Sequence, residues 1–304
     1  MQGYQSDFLG NEFPRVELPK FDSDMQSVVA HLKNNSDEYV LDYKNYSLVQ
    51  HKKRRFPLFT ASNIDGNKFV RTERTGSWKL DDRIEAEYQW GSQLYQAEKS
   101  DFDRGHMTKR EDVQWGDTEE EAIEGAKQTF FYTNAVPQHA KVNRSIWRRI
   151  EDYILKKETV RHNLRITVFT GPVMSEDDPD FVTLIDNSIV KLPTTFWKIV
   201  YYTTAEGKLQ RVAFLVGQKY LLEKFHIVKR RIRTGTRRDR FINFKYADTY
   251  QVNVQMVEEL SGLTFPSAID AYHDERPINL ILKSVNVRRG KKLVKEDQVE
   301  RLIL

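Results

Sequence analysis

Cysteine is absent from the 304-residue chain. That excludes disulfides, thiolate metal centres and a cysteine nucleophile, and it suits a reducing compartment. No run approaches the roughly 20 apolar residues that cross a bilayer, so no membrane partner is expected. The opening residues, Met1 to Phe8 by number, offer neither the basic nor the apolar region of a signal peptide, which gives a cytoplasmic expectation. Internal repeats and low-complexity tracts are lacking as well. Charge of one sign is scarce: 48 Lys and Arg stand against 44 Asp and Glu, a net +4. The sign suits a polyanion, but the size decides nothing. Apolar material is plentiful, with 39% hydrophobic and 12% aromatic residues. That is enough for a sizeable core and argues against global disorder.

Read in order, residues 1–36 form an expected N-terminal arm, because Pro14, Pro19 and scattered Asp and Asn break all periodicity except a short helical pattern at 25–32. Residues 56–61 predict a buried strand. The turn residues Asn63, Asp65, Gly66 and Asn67 and an alternating stretch at 69–73 complete an expected hairpin. Strand-like pieces at 102–107 and 128–135 flank an acidic loop, where Glu119, Glu120 and Glu121 open a helix reaching 127. From Asn143 a helix is expected, with Ile146, Ile150, Tyr153 and Ile154 on one face. Three strands follow, at 165–170 (ended by Gly171 and Pro172), 196–202 and 211–216, then a helix at 250–260 stopped by Ser261 and Gly262. An apolar run at 278–282, a basic turn around Gly290 and an amphipathic end close the chain. The sum is an α+β fold, a central antiparallel sheet with packed helices. Its domain is expected at 37–266, followed by a C-terminal extension at 267–304.

The stretch 101–151 carries the chemistry. His106 can act as a general base, since an imidazole near its reference pKa of about 6.5 is mostly neutral at pH 7. Most histidines are structural, but this one follows Gly105, which allows close approach, and Arg104, a fork suited to phosphate. Asn143 offers a neutral, hard oxygen to a cation such as Mg²⁺; taken alone it also reads as a helix N-cap. Glu151 lies eight residues on, about two turns, with Trp147 between; its plainer reading is a solvated residue pairing with Arg148 or Lys156. Phosphodiester hydrolysis needs a base for water, positive charge for the transition state and something to neutralise the leaving oxygen. A sparsely held metal ion supplies the last two.

Asp103-Arg104-Gly105-His106, then Thr133-Asn134-x-x-Pro137-Gln138, then Asn143 and Glu151 at these spacings resemble the DNA/RNA non-specific endonucleases, a family with a ββα-metal active site. Arg74-x-x-x-Trp78-x-x-Asp81, Phe169-Thr170-Gly171-Pro172, Leu192-Pro193-x-x-Phe196-Trp197-Lys198, Ala213-Phe214-Leu215 and Glu258-x-x-Ser261-Gly262-Leu263-x-Phe265 extend the resemblance over roughly residues 56–265. It implies a metal-dependent endonuclease acting on DNA and RNA with little sequence preference and leaving 5′-phosphates. His106 would be the general base. Asn143 would be the one direct protein ligand of Mg²⁺ (or Mn²⁺ in its place), and Glu151 would reach the ion through water. Arg74 and Arg104 would contact the phosphate, and Asn134 would orient the site.

Residues 219–249 are longer and more charged than that family's core requires. They hold Lys229, Arg230, Arg231, Arg233, Arg237, Arg238 and Arg240. The cluster reads either as a solvated loop or as a nucleic-acid-binding surface centred on Arg230, Arg231, Arg237 and Arg238. Two rival functions remain at this level: a catalytically silent nucleic-acid-binding module, and a nuclease effector joined to, or controlled by, a regulatory partner through residues 1–36 and 267–304; a homodimer is the other assembly expected. Intact His106, Asn143 and Glu151 argue against the first.

Overall fold

A computed structural model describes residues 3–144, 146–153, 159–160, 162–229, 248–289 and 292–304. In chain order its elements are α1 (Ser23–Gln26), β1 (Val40–Tyr43), β2 (Tyr46–His51), β3 (Phe56–Asp65), α2 (Ser92–Tyr95), β4 (Asp103–His106), α3 (Glu119–Gln128), β5 (Ala135–Gln138), α4 (Ala140–Asn143) and α5 (Ile146–Asp152). They continue with β6 (Arg165–Val173), β7 (Thr195–Thr203), β8 (Leu209–Gly217), α6 (Lys219–Lys224), β9 (Thr249–Val252), α7 (Val254–Ser261), β10 (Ile269–Asp270), β11 (Ile278–Asn279), β12 (Ile281–Arg289) and β13 (Lys292–Glu300). One large sheet runs β1-β2-β3-β6-β7-β8-β9-β11, with β10 added to the start of β8. Its pairings are antiparallel except β10 with β8. The expected α+β class, a central antiparallel sheet with helices on it, is what the chain adopts.

Both faces of this sheet are covered, which is why its central strands read as near-continuous apolar runs. Period-two alternation still sorts their side chains. Phe196 and Val200 of β7 and Ile166 and Val168 of β6 join a core shared with Phe102 and Met107 on either side of β4, with β5 and with the helices after it. Trp197, Ile199 and Tyr201, with Phe169, join a second core on the opposite face, closed by Val254 and Val257 of α7 and by Leu9 and Val16. Residues near the N-terminus are tied to that face by hydrogen bonds: Gln5 and Asn63 exchange two, at 2.7 and 3.2 Å, and Tyr4 N donates to Ser47 Oγ.

Several local expectations are corrected. The hairpin expected over 56–73 does not form. β3 pairs instead with β2 and β6. Asp65 Oδ1 accepts from the backbone of Asn67 and Lys68, which turns the chain out of the sheet. A Cβ on Gly66 would fall 2.1 Å from Thr159 O, so only glycine fits that exit. The piece expected at 128–135 is the end of α3, a single 3₁₀ turn at Tyr132–Asn134, and only then β5. β6 runs past Gly171 and Pro172 to Val173. It can do so because pairing with β3 ends at Thr170, so the missing N–H of Pro172 has no β3 partner to lose. The helix expected over 250–260 begins later: β9 occupies 249–252, and Asn253 caps α7 by accepting from Met256 N. The tail beyond 280 forms the two-stranded ribbon β12–β13.

Candidate active site

The site is a two-stranded antiparallel ribbon, β4 and β5, whose strands are joined through α3, laid over the first core and followed by two helices. β4 and β5 pair in the register Asp103↔Gln138, Arg104↔Pro137, Gly105↔Val136 and His106↔Ala135. Gly105 is required by its cross-strand surroundings: a Cβ there would lie 2.3–2.4 Å from three side-chain atoms of Gln138. The close approach anticipated at Gly105 is therefore made by Gln138. Asn134 is wholly buried behind this ribbon. Its Oδ1 accepts from Thr108 N at 2.8 Å, and its Nδ2 donates to Thr108 O and Thr129 O at 2.9 and 3.0 Å. Its own carbonyl accepts from Met107 N. That clamp fixes the backbone immediately after His106 and uses both ends of the amide.

His106 is half-buried between Trp78, 4.7 Å away, and the edge-on ring of Phe130, 5.2 Å away. Burial pushes its pKa down to about 3, helped by the charges of Arg74 and Arg110. The imidazole is thus uncharged throughout the neutral range. Its Nε2 is sealed from solvent without a hydrogen-bond partner, and so are Arg104 Nε and Gln138 Nε2. Three orphaned polar atoms around one cleft are unusual for a folded interior. Arg104 lies over Tyr95 and Tyr132, and Arg74 over Phe130, so both guanidinium groups are steered by aromatic faces.

Across the cleft, Asp103 organises the helical side. Its carboxylate accepts from Asn143 Nδ2 at 2.9 Å and from Arg144 at 3.0 and 2.6 Å. Asn143 closes α4 rather than opening a helix, and the N-cap of α4 is His139. Glu151, on α5, lies 3.4 Å from Lys198 Nζ, and Lys198 also donates to Thr170 Oγ1 at 2.8 Å. Thr170 and Lys198 are cross-strand partners on β6 and β7, on the sheet face beneath the cleft. Lys109 pairs with Asp152 and Glu111 at 2.5 and 3.3 Å, and Glu151, Asp112 and Asp152 hold its pKa up against burial. Asp112 is buried in this group, and desolvation raises its pKa to about 7 despite Lys198 and Lys109.

Arg74, Arg104, His106, Asn143 and Glu151 all line one cleft of about 490 Å³. Asn134 stands behind it, and Arg230, Arg231, Arg237 and Arg238 lie outside the described residues. The lining carries six Lys or Arg (Arg74, Arg104, Lys109, Arg110, Arg144, Arg148) against three carboxylates (Asp103, Glu111, Glu151). Several contributors escaped the sequence reading: Trp78, Asp103, Lys109, Arg110, Gln138 and Lys198 had no assigned role. For Lys198 a signal existed, a lone cation inside the apolar run 196–201.

The donors can be tested against a metal ion. Among the described residues, no group of three or more His, Cys, Asp or Glu stands together as a cage. Asn143 uses its Nδ2 on Asp103, which leaves the hard carbonyl oxygen on the other side of the same carboxamide. Glu151 adds a carboxylate to the same cleft. So sparse a set fits Mg²⁺, which keeps its waters and takes oxygens from substrate; it does not fit Zn²⁺, which wants three or four nitrogen or sulfur ligands.

An antiparallel strand pair bearing the histidine, a following helix pair bearing the asparagine and the glutamate, and a cleft between them have the ββα arrangement. The chain belongs to the DNA/RNA non-specific endonuclease family, whose sequence model matches residues 25–271. It is similar to the uncharacterized protein y4fB of Sinorhizobium fredii, 32% identical over 288 residues, which cover 89% of this chain and 40% of that protein. It is also similar to mitochondrial endonuclease G of Homo sapiens, 26% identical over 163 residues, with 50% and 52% of the two chains covered. Mitochondrial nuclease EXOG of Danio rerio is 25% identical over 166 residues, covering 52% of this chain and 46% of that protein. The chain thus spans about half or less of the length of these curated relatives. In three dimensions it resembles the crystal structure of an EndoG/EndoGI complex, with a TM-score of 0.52 at 20% identity over 75% of this chain and 85% of that one.

Proposed function

We propose that this chain is a Mg²⁺-dependent endonuclease that hydrolyses phosphodiester bonds of DNA and RNA with little sequence preference. The observation that carries the reading is His106, kept uncharged at the edge of a cleft whose lining sets six cationic side chains against three carboxylates. With Nε2 closed off, the nitrogen able to meet a water is Nδ1, so the neutral ring would carry its proton on Nε2. Water attacks phosphorus, its proton passes to His106 Nδ1, and the bond from phosphorus to the 3′ oxygen breaks; that oxygen takes a proton from solvent water to become the 3′-hydroxyl, and the other strand end keeps the 5′-phosphate. Arg74 and Arg104 hold the phosphate oxygens with fork-shaped donors. Asn134 positions His106 through the 107–108 backbone, and Lys198 positions Glu151. Asn143 would hold Mg²⁺ directly and Glu151 through water, and the ion would supply positive charge to the phosphoryl and leaving oxygens. The groups assigned to substrate address phosphate, which DNA and RNA share and which carries no sequence information.

Incubation with plasmid DNA and with single-stranded RNA, with Mg²⁺ and with EDTA, tests this reading. Cleavage of both substrates that EDTA abolishes is expected. Intact substrates at every Mg²⁺ concentration, or cleavage indifferent to EDTA, would refute it.

A further inference from the structure

Beside the cleft lies an aromatic and cationic patch that the hydrolytic reading does not use. Gln138 lines the cleft, and the next residue, His139, is buried beneath Phe225 with the rings 4.9 Å apart and inclined by 26°. One face of Phe225 rests on His139, yet the residue is 40% exposed; Tyr220, on α6 just before it, is 38% exposed. Lys141 Nζ lies 5.3 Å from the Phe225 ring, and Lys224 Nζ lies 5.7 and 6.0 Å from Tyr220 and Phe225. Lys219 opens α6, and the sequence continues from Lys229 into the arginine-rich stretch.

A single exposed aromatic on a protein surface means little. This pair differs in three respects. The two rings share one ammonium group and are flanked by more cations, the composition of surfaces on which nucleobases stack while phosphates are neutralised. The patch is also rigidly joined to the cleft. Gln218, just ahead of α6 and almost wholly buried, donates to Pro137 O and Pro193 O at 3.0 and 2.7 Å and accepts from His139 N at 2.8 Å. Finally, Lys141 and Asn143 sit on the one turn of α4, so the patch begins where the metal-holding side of the cleft ends.

We propose that Phe225, with Tyr220 beside it, is a stacking platform for unpaired bases next to the scissile phosphate, so that the preferred occupant is a single-stranded nucleic acid. The inference rests on the cleft being a nuclease site. In a duplex, base faces are buried in the stack and cannot reach such a ring. In a single strand they are available, and a stacked base steadies the neighbouring phosphate over the cleft.

The test is binding of labelled oligo(dT), and of the corresponding duplex, to the full chain in EDTA, where hydrolysis is stopped. Phe225→Leu, which keeps apolar bulk over His139 but removes the ring, is expected to weaken oligo(dT) binding about 5- to 100-fold and duplex binding far less. Tyr220→Leu should act in the same direction, and Phe225→Trp should bind oligo(dT) at least as tightly as the wild type. Wild-type affinity in Phe225→Leu, or an equal loss for oligo(dT) and duplex, overturns the platform. Plasmid cleavage by the wild type with Mg²⁺ is run alongside. Cleavage together with unaltered binding by Phe225→Leu defeats the platform and leaves the nuclease reading intact; ring-dependent binding without any cleavage defeats the nuclease reading instead.

Discussion

Along β7 the side chains alternate between two very different surroundings. Trp197, Ile199 and Tyr201 enter a core closed by α7, where Trp197 Nε1 donates to Pro172 O and Tyr201 Oη donates to Pro266 O. Lys198, between them, points to the other face, toward Thr170, Glu151 and the buried Asp112. The first face is apolar, with its few polar groups satisfied. The second carries buried charge and, above it, orphaned polar atoms. Buried charges and unsatisfied donors cost stability, and His106 Nε2, Arg104 Nε and Gln138 Nε2 place part of that cost at the cleft.

Substitutions on the two faces should therefore fail differently. Asn143→Ala should lower turnover at fixed Mg²⁺ by about 100-fold or more if, as proposed, Asn143 is the one protein ligand that carries the ion, with the thermal midpoint nearly unchanged. Trp197→Ala should do the reverse, costing about 3–5 kcal/mol of stability through the cavity it leaves while the folded fraction still turns over. Mg²⁺ titrations and denaturant melts of both variants check the pair. A Mg²⁺ response of Asn143→Ala that matches the wild type would remove the ligand assignment.

Lys198→Met sharpens the contrast on a single strand. It preserves the length of the side chain, removes the ion-pair partner of Glu151 and, if Glu151 reaches the ion through water as proposed, should reduce turnover about 10- to 100-fold, the usual consequence of losing a group that orients a metal-linked carboxylate. The Mg²⁺ concentration for half-maximal activity should rise with it. Lys198→Arg, which keeps the charge, should recover part of both. A purely structural lysine would lower stability and leave the Mg²⁺ response alone.

The smallest expected effect is on stability and pH. Asp112 is held near pKa 7 when folded against about 3.8 when unfolded. Between those values the folded chain keeps a proton that the unfolded chain has lost. This residue therefore makes stability fall as pH rises from about 4 to 7, after which the loss is complete. Asp112→Asn should remove that loss, gaining about 1 kcal/mol or more at pH 8, with the advantage over wild type vanishing near pH 4. Melts across this range decide it, and a variant less stable than wild type at pH 8 would mean that Lys109 and Lys198 need the charge.

How much of this could be read in the chain differs between the two faces. The strands β6, β7 and β8 announce themselves because both sides of the sheet are covered and their runs are almost unbroken. His106, Asn143 and Glu151 stand out in the sequence through the resemblance, because Asp103-Arg104-Gly105-His106 is followed by Asn143 and Glu151 at the family's spacings; taken alone, Asn143 reads equally as a cap and Glu151 as a solvated residue. The hairpin expected over 56–73 fails because nothing local reveals that Asp65 will cap the chain's exit and that β3 already has partners on both edges. Lys198 signals itself only as a lone cation in an apolar run, and the register Thr170↔Lys198 sets it under the cleft; Asp112 looks like an ordinary charged residue until the fold buries it beside Lys198 and Lys109. Asn134 was read as orienting the site; its means, a clamp on Thr108 and Thr129, depends on backbone groups that a pattern of side chains cannot display.

His106 is where the central claim is most exposed. The direct measurement is single-turnover cleavage of a labelled duplex by wild type and His106→Ala at saturating protein and Mg²⁺, with binding of the same duplex measured in EDTA. Loss of the base should slow the cleavage step about 100- to 10,000-fold and leave the dissociation constant nearly unchanged, because the arginines that hold phosphate remain. Equal cleavage rates in the two proteins would contradict the account and take His106 out of the reaction.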